Sequence, residues 1–175
     1  MPQSADPSPA DQIATVFYSR SGHSRSVAQD LAQSLGGPLF ELLVPRYDMA
    51  ILGFMRAGYD SLWLNHPAPQ NDIPSLSDYG AVGLCGPIWT SYPATPLRHI
   101  LAKRSDLPTR VGLFLTCDAH SPPHKAYSTA EADLGRSLTA MATLSNKNED
   151  AGSRRQLIAD FAQTLKASCT DNAPV

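Results

Sequence analysis

Ser19-Arg20-Ser21-Gly22-His23-Ser24 is the stretch on which the reading of this chain turns. It follows an apolar run, Ile13 to Tyr18, and opens into a helical pattern, Ser24 to Leu35. Hydroxyl residues at alternate positions around one glycine, at the open end of a first strand, suit a phosphate monoester. The first N–H groups of a helix lack intrahelical acceptors and point at whatever lies beyond its start. Successive N–H groups of a tight turn form a concave anion nest. The serine hydroxyls add donors, and Gly22 permits a backbone shape that a Cβ would hinder. No lysine stands where a nucleoside-triphosphate loop needs one. The plainer reading of the same residues is an ordinary strand-to-helix turn with Ser as N-cap.

Outward from this stretch, strand-like and helix-like segments alternate, the pattern of an α/β fold with a parallel sheet. The first helix has Val27, Leu31 and Leu35 on one stripe and is stopped by Gly36-Gly37-Pro38. A second strand is expected over Leu39 to Val44. Between Tyr47 and Leu64, the residues Ile51, Met55, Tyr59 and Leu62 or Trp63 fit a helical face that Gly53 and Gly58 weaken. His66 to Pro74 is a Pro-rich connection. The third strand, Ala81 to Cys85, is apolar without alternation, as a strand covered on both faces should be. Gly86 to Pro93 reads as a loop, followed by a short helix starting near Pro96 with Leu97, Ile100 and Leu101 inward. The fourth strand, Arg110 to Thr116, sets Val111, Leu113 and Leu115 on one face and Phe114 on the other. The loop Cys117 to Lys125, a helix Ala126 to Gly135, a fifth strand Leu138 to Leu144 and a last helix from near Ser153 complete the pattern. The last helix carries Leu157, Phe161 and Leu165 on its stripe. The expected architecture is a three-layer α-β-α sandwich on a five-stranded parallel sheet. In such sheets the ligand lies beyond the carboxyl ends of the strands, where strand order reverses. Ser19 to Ser24, Gly86 to Tyr92 and Cys117 to Ser121 should meet there.

The chain has 175 residues and a formal net charge of −2. That length suits one domain, expected over 11–168, with a flexible leader at 1–10 and a tail at 169–175. The charge gives no reason to expect nucleic acid or an anionic membrane as partner. No apolar stretch is long enough to span a bilayer, and the Pro-, Ser- and Asp-rich start lacks the features of a signal peptide. Three cysteines without metal-type spacing fit a reduced, cytoplasmic protein.

With these loops in place the chain resembles the flavodoxin family, over about Ile13 to Lys166. Residues 18 to 24, Tyr-Ser-Arg-Ser-Gly-His-Ser, are similar to the family's phosphate loop. Gly-Pro-Ile-Trp (86 to 89), with Ala-Thr-Pro-Leu (94 to 97), is similar to its second flavin loop and the helix after it. Thr-Cys-Asp (116 to 118) falls where the third loop belongs. The resemblance implies strand order 2-1-3-4-5 and one non-covalent FMN; flavodoxin is itself the standard illustration of that order and cofactor position. Two departures stand out. Flavodoxins are strongly acidic and this chain is nearly neutral, and the third loop, Cys117 to Ser121, lacks the family's second stacking aromatic. The insert Tyr47 to Pro69 is closer to a bacterial flavodoxin-like subfamily.

On this resemblance the FMN contacts are Ser19, Arg20, Ser21, Gly22, His23 and Ser24 for the phosphate, and Pro87, Ile88, Trp89, Thr90, Tyr92, Cys117, Asp118 and His120 around the ring. Trp89 is the first choice for stacking on the isoalloxazine, against the alternative of a Trp packed under its own loop. Tyr92 is a candidate for the ring edge. Gly86 C=O or Ile88 C=O would face the flavin N5. Asp118 either disfavours an anion at the flavin N1 or caps a local turn. Cys85 and Cys117 are read as small buried apolar residues, with a redox pair as the alternative. His120 is read as a solvated loop residue, with proton donation as the alternative. His120 and His124 are spaced for a metal only on a helix, which Pro122-Pro123 forbids. Three functions follow. The first is an FMN redox protein passing electrons between a reductase and an acceptor. The second is an FMN-dependent NAD(P)H:quinone-type oxidoreductase, its pocket completed by a second subunit in a homodimer. The third is a cofactor-free module that kept the fold.

Overall fold

The run Ile13–Phe17 forms strand β1, every residue of it buried, because it lies in the middle of the sheet with a helical layer on each face. The computed structural model describes residues 10, 12–45, 68–117, 122–145 and 150–167. Around β1 the chain runs α1 (His23–Leu35), β2 (Leu39–Glu41), β3 (Ala81–Trp89), β4 (Tyr92–Pro93), α2 (Thr95–Lys103), β5 (Val111–Cys117), α3 (His124–Leu134), β6 (Ala140–Ser145) and α4 (Ala151–Ala167). The sheet order is β2-β1-β3-β5-β6, all parallel, with β4 paired antiparallel to the end of β3. The five parallel strands and their 2-1-3-4-5 order are as expected; β4 is an addition.

The two helical layers sort by side-chain alternation. Ala14, Val16, Val82, Leu84, Leu113 and Leu115 meet Leu97, Ile100, Leu101, Ala126 and Ala130 of α2 and α3. Ile13, Phe17, Cys85 and Phe114 meet Val27, Leu31, Leu35, Ile158, Phe161 and Leu165 of α1 and α4. The Phe114 and Phe161 rings pack edge-on at 5.5 Å and 77°. Gly112 makes room for this, since a Cβ there would come within 2.6 Å of Phe161 Cζ. Helices α1 and α4 run side by side in the same sense. Arg154 Nη2 donates to Ser26 Oγ at 2.9 Å and Asp30 Oδ2 at 2.6 Å near one end. Lys166 Nζ donates to the Ser34 carbonyl at 2.7 Å near the other.

Several boundaries differ from expectation for identifiable reasons. The ladder of β2 stops at Glu41, although Leu42 and Val44 stay buried. The amide of Asn71 reaches in from the next connection, its Oδ1 taking Leu43 N–H at 2.8 Å and its Nδ2 donating to Glu41 C=O at 2.7 Å. The expected loop Gly86 to Pro93 is a β-hairpin. β3 continues to Trp89, turns at Thr90-Ser91 and returns through Tyr92–Pro93, closed by Ala94 N–H to Pro87 C=O at 2.9 Å. α3 begins at His124, before the expected Ala126, and α4 begins at Ala151. The leader up to residue 9, the helical pattern of 47–64, Asp118, His120 and the tail lie outside the described residues. Among those described, no helix is long and apolar enough to cross a membrane.

Candidate functional site

Strand order reverses between β1 and β3, so their carboxyl ends open the crevice where ligands of such sheets bind. Tyr18 N–H still bonds Cys85 C=O at 3.0 Å, after which the chain leaves the sheet into the Ser19 to Gly22 turn. Here the peptide reverses through Gly22, at φ 89° and ψ −16°, and α1 begins. A Cβ at Gly22 would touch nothing within 4 Å, so the glycine answers to backbone conformation and the space above it is open. Gly22 occupies the N-cap and brings no side-chain cap to the helix start. The first intrahelical bond is Ser26 N–H to Gly22 C=O at 3.1 Å. The N–H groups of the first turn ahead of it are therefore the ones a helix cannot satisfy from within.

The predicted phosphate residues divide three ways. Ser19 Oγ accepts Gly22 N–H at 3.1 Å and so shapes the turn. Arg20 and Ser21 are exposed at the mouth, and Gly22 and His23 are half-buried behind them. Ser24 is 3% exposed, and its hydroxyl meets that of Thr116 at 2.8 Å. What Ser24 offers at the mouth is its backbone N–H; its side chain ties α1 to the end of β5. Sequence reasoning gave Thr116 no such role, because nothing local marks a contact spanning so much chain.

Trp89 is half-buried, and its ring stands against the edge of Tyr18 with centroids 5.4 Å apart at 88°. The first and second predicted loops therefore meet through these two rings. Pro87 pairs in register with Thr116, which brings the end of β5 alongside. Ile88 is buried, and Thr90 lies exposed at the hairpin turn. Thr90 and Ser91 have φ of 47° and 69°, the two positive values of a type I′ hairpin turn, without the Gly or Asn such turns favour. Tyr92 is half-buried, beneath two cations: Arg98 Cζ at 5.6 Å and Lys125 Nζ at 4.4 Å from its ring centroid.

Cys85 and Cys117 do not pair with each other. Cys85 faces α1 and α4, Cys117 faces α2 and α3, and Cys85 is in register with Phe114, not with Cys117. Both are buried thiols, and burial pushes the Cys85 thiol up to about 12. This removes the redox pair and leaves two apolar core residues. Among the described residues no three His, Cys, Asp or Glu side chains gather as metal ligands do.

The sequence matches no protein-family model and no curated protein. Solved structures do match. An inferred flavoprotein of Bacteroides uniformis superposes with a TM-score of 0.70 at 18% identity, over 85% of this chain and 98% of its own. The fold is flavodoxin-like. A flavoprotein of Lactobacillus acidophilus, solved in complex with FMN, gives 0.65 at 22% identity, over 77% of this chain and 93% of its own. The flavodoxin of Streptococcus pneumoniae gives 0.60 at 11%, over 90% of this chain and 99% of its own. At these identities the likeness is one of flavodoxin-like architecture, and function has to be argued from the residues themselves.

Proposed function

We propose that this chain binds one FMN and passes electrons between a reductase and an acceptor protein. The observation that carries this reading is the start of α1. It has no side-chain cap, it follows a hydroxyl-rich turn through Gly22, and it opens at the sheet's reversal point, where Tyr18 at the head of that turn packs against the ring of Trp89. A phosphate dianion needs a group of neutral donors, and the first-turn N–H groups with the exposed Ser21 hydroxyl are such a group. The residues fit the cofactor on that ground. The L. acidophilus flavoprotein, of the same fold, was solved with FMN.

When bound, FMN supplies one- and two-electron chemistry. The chain supplies the rest. The Ser19 to Ser24 turn holds the phosphate through backbone N–H groups and the exposed Ser21 hydroxyl. Trp89 covers the ring and keeps water from it. The buried Ser24–Thr116 hydroxyl pair fixes α1 against β5. The buried thiols of Cys85 and Cys117, which form no disulfide, support a reducing, cytoplasmic setting. A second reading, an FMN-dependent NAD(P)H:quinone-type oxidoreductase, is favoured by one observation. A net charge of −2 lacks the acidic surface by which a shuttle docks on basic partners.

The test is direct. Protein purified without added cofactor and titrated with FMN should quench flavin fluorescence. At a hundredfold excess over Kd it should gain about 2.7 kcal/mol of stability, or about 5–10 °C in Tm. Neither quenching nor a shift leaves only the cofactor-free module. NAD(P)H oxidation with a quinone and no added reductase selects the second reading over the first.

A further inference from the structure

Among the described residues, Arg98 is the one charged side chain in the buried class, at 4% exposure. It lies on α2, and its guanidinium forks onto Asp133 of α3, Nε to Oδ2 at 2.6 Å and Nη2 to Oδ1 at 2.9 Å. Taking such a pair out of water costs nearly as much as the pair returns, so its presence asks for a role in specifying geometry. Its position supplies one. The guanidinium, fixed by the fork, stands over the ring of Tyr92, and Lys125, from the first turn of α3, stands over the same ring. Tyr92 is the residue directly across the hairpin from Trp89. The turn between them holds Thr90 and Ser91 at positive φ. L-residues other than Gly, Asn or Asp resist that region, so the hairpin keeps this shape only if its surroundings over-determine it.

We propose that Arg98, Lys125 and Tyr92 form a cation–π latch that fixes where Trp89 stands. Tyr92 is then a positioning residue and not a second ring on the flavin. Arg98 is pre-organised by Asp133, and a planar guanidinium keeps its face available to an aromatic ring while its edge is hydrogen-bonded. The latch ties the hairpin to both helices of its layer, so loosening it frees Trp89 without touching the α1 turn. Its effect on cofactor affinity rests on the FMN reading above; the latch itself does not.

The experiment uses two measurements in a Trp63→Phe background, so that Trp89 is the sole fluorophore of its kind. In FMN-free protein, Tyr92→Leu should raise acrylamide quenching of Trp89, and Lys125→Met, at an exposed position that leaves the fold intact, should do so to a smaller degree. Tyr92→Phe, which keeps the ring, should restore the original quenching. In FMN titrations Tyr92→Leu should bind about tenfold more weakly, the size of one well-desolvated cation–π contact, and Tyr92→Phe should recover it. Unchanged Trp89 quenching in both Tyr92→Leu and Lys125→Met overturns the latch, as does Tyr92→Phe behaving like Tyr92→Leu. A quenching change in a protein that takes up no FMN upholds the latch and sinks the cofactor reading alone.

Discussion

Helices α1 and α4 lie side by side on one face of the sheet and start at the same end of it, yet their starts are built oppositely. At α4, Asp150 fills the N-cap. Its Oδ1 accepts Gly152 N–H at 3.0 Å and Ser153 N–H at 2.9 Å, and its Oδ2 accepts the Ser153 hydroxyl at 2.6 Å. At α1, glycine stands in the corresponding place, and the Ser19 oxygen is turned back to the Gly22 N–H. Both starts carry the same partial positive charge. One is closed with the protein's own carboxylate, and the other has no side-chain cap of its own. Since the two helices share a core and a direction, the contrast sets a helix start capped from within against one that, on the proposed function, receives a ligand.

The largest effect should come from making the two starts alike. Ser21→Asp places a carboxylate at the exposed mouth of the α1 turn. Two unit charges 4 Å apart at an effective dielectric of about 20 repel by about 4 kcal/mol, and solvent screening at this exposed position reduces that. A loss of FMN affinity of at least about a hundredfold should remain. The FMN-free variant should melt no lower than the native protein, because the new carboxylate favours the helix start. Fluorescence titration and thermal melts of the same preparations check both halves. Unaltered affinity would mean that the phosphate is held elsewhere.

Next in size is the ring proposed to cover the flavin. Trp89→Ala should weaken FMN binding roughly 10- to 100-fold, since it loses stacking worth about 0.5–1.5 kcal/mol together with the apolar area it covers. Residual flavin fluorescence in the complex should rise. Ser21→Asp acts at the phosphate and Trp89→Ala at the ring, so in the double variant the two losses should add.

A third variant leaves both helix starts alone and relaxes the hairpin between the site and α2. Thr90→Asn with Ser91→Gly installs residues that accept the positive φ values seen at the turn. Relief of about 1 kcal/mol or more is expected, and the melting temperature should rise by about 2–4 °C for each kcal/mol. A lower Tm would show that the Thr90 and Ser91 side chains contribute more than their backbone strain costs.

What the sequence disclosed, and what it withheld, follows the range of the interactions. Helix α1 was legible because its stripe, Val27, Leu31 and Leu35, and its stop at Gly36 are written within thirteen residues of one another. The strand order was legible because alternation of strands and helices implies a parallel sheet, which sets the carboxyl ends of β1, β3 and β5 side by side. The hairpin was hidden. Gly86-Pro87 reads as loop, and Thr90-Ser91 lacks the Asn-Gly or Asp-Gly signal of a type I′ turn. The early end of β2 depends on Asn71, which comes from a connection some thirty residues on. Nothing local marks Arg98 for burial, because its partner Asp133 stands on another helix. Local periodicity reports burial by apolar residues; it is silent on buried ions and side-chain caps that come from far along the chain.

The smallest effect belongs to the filled helix start, and it is the control for the others. Asp150→Asn should lower the melting temperature near neutral pH by a few degrees and leave FMN affinity unchanged, since the proposed site lies at the other helix. The sign of its pH dependence is fixed by the cause. Hydrogen bonds from Ser153, first the hydroxyl and then the backbone N–H, hold the Asp150 carboxyl below the usual carboxylate range. A group whose folded pKa is depressed binds fewer protons folded than unfolded, so its stabilisation is present above the unfolded pKa of 3.8 and fades as pH falls through the lower folded value. The melting curves of the native protein and Asp150→Asn should therefore differ at neutral pH and converge in acid. A difference that persisted undiminished in acid would mean that the carboxylate's charge is not what closes the start of α4, and the contrast with α1 would lose its electrostatic basis.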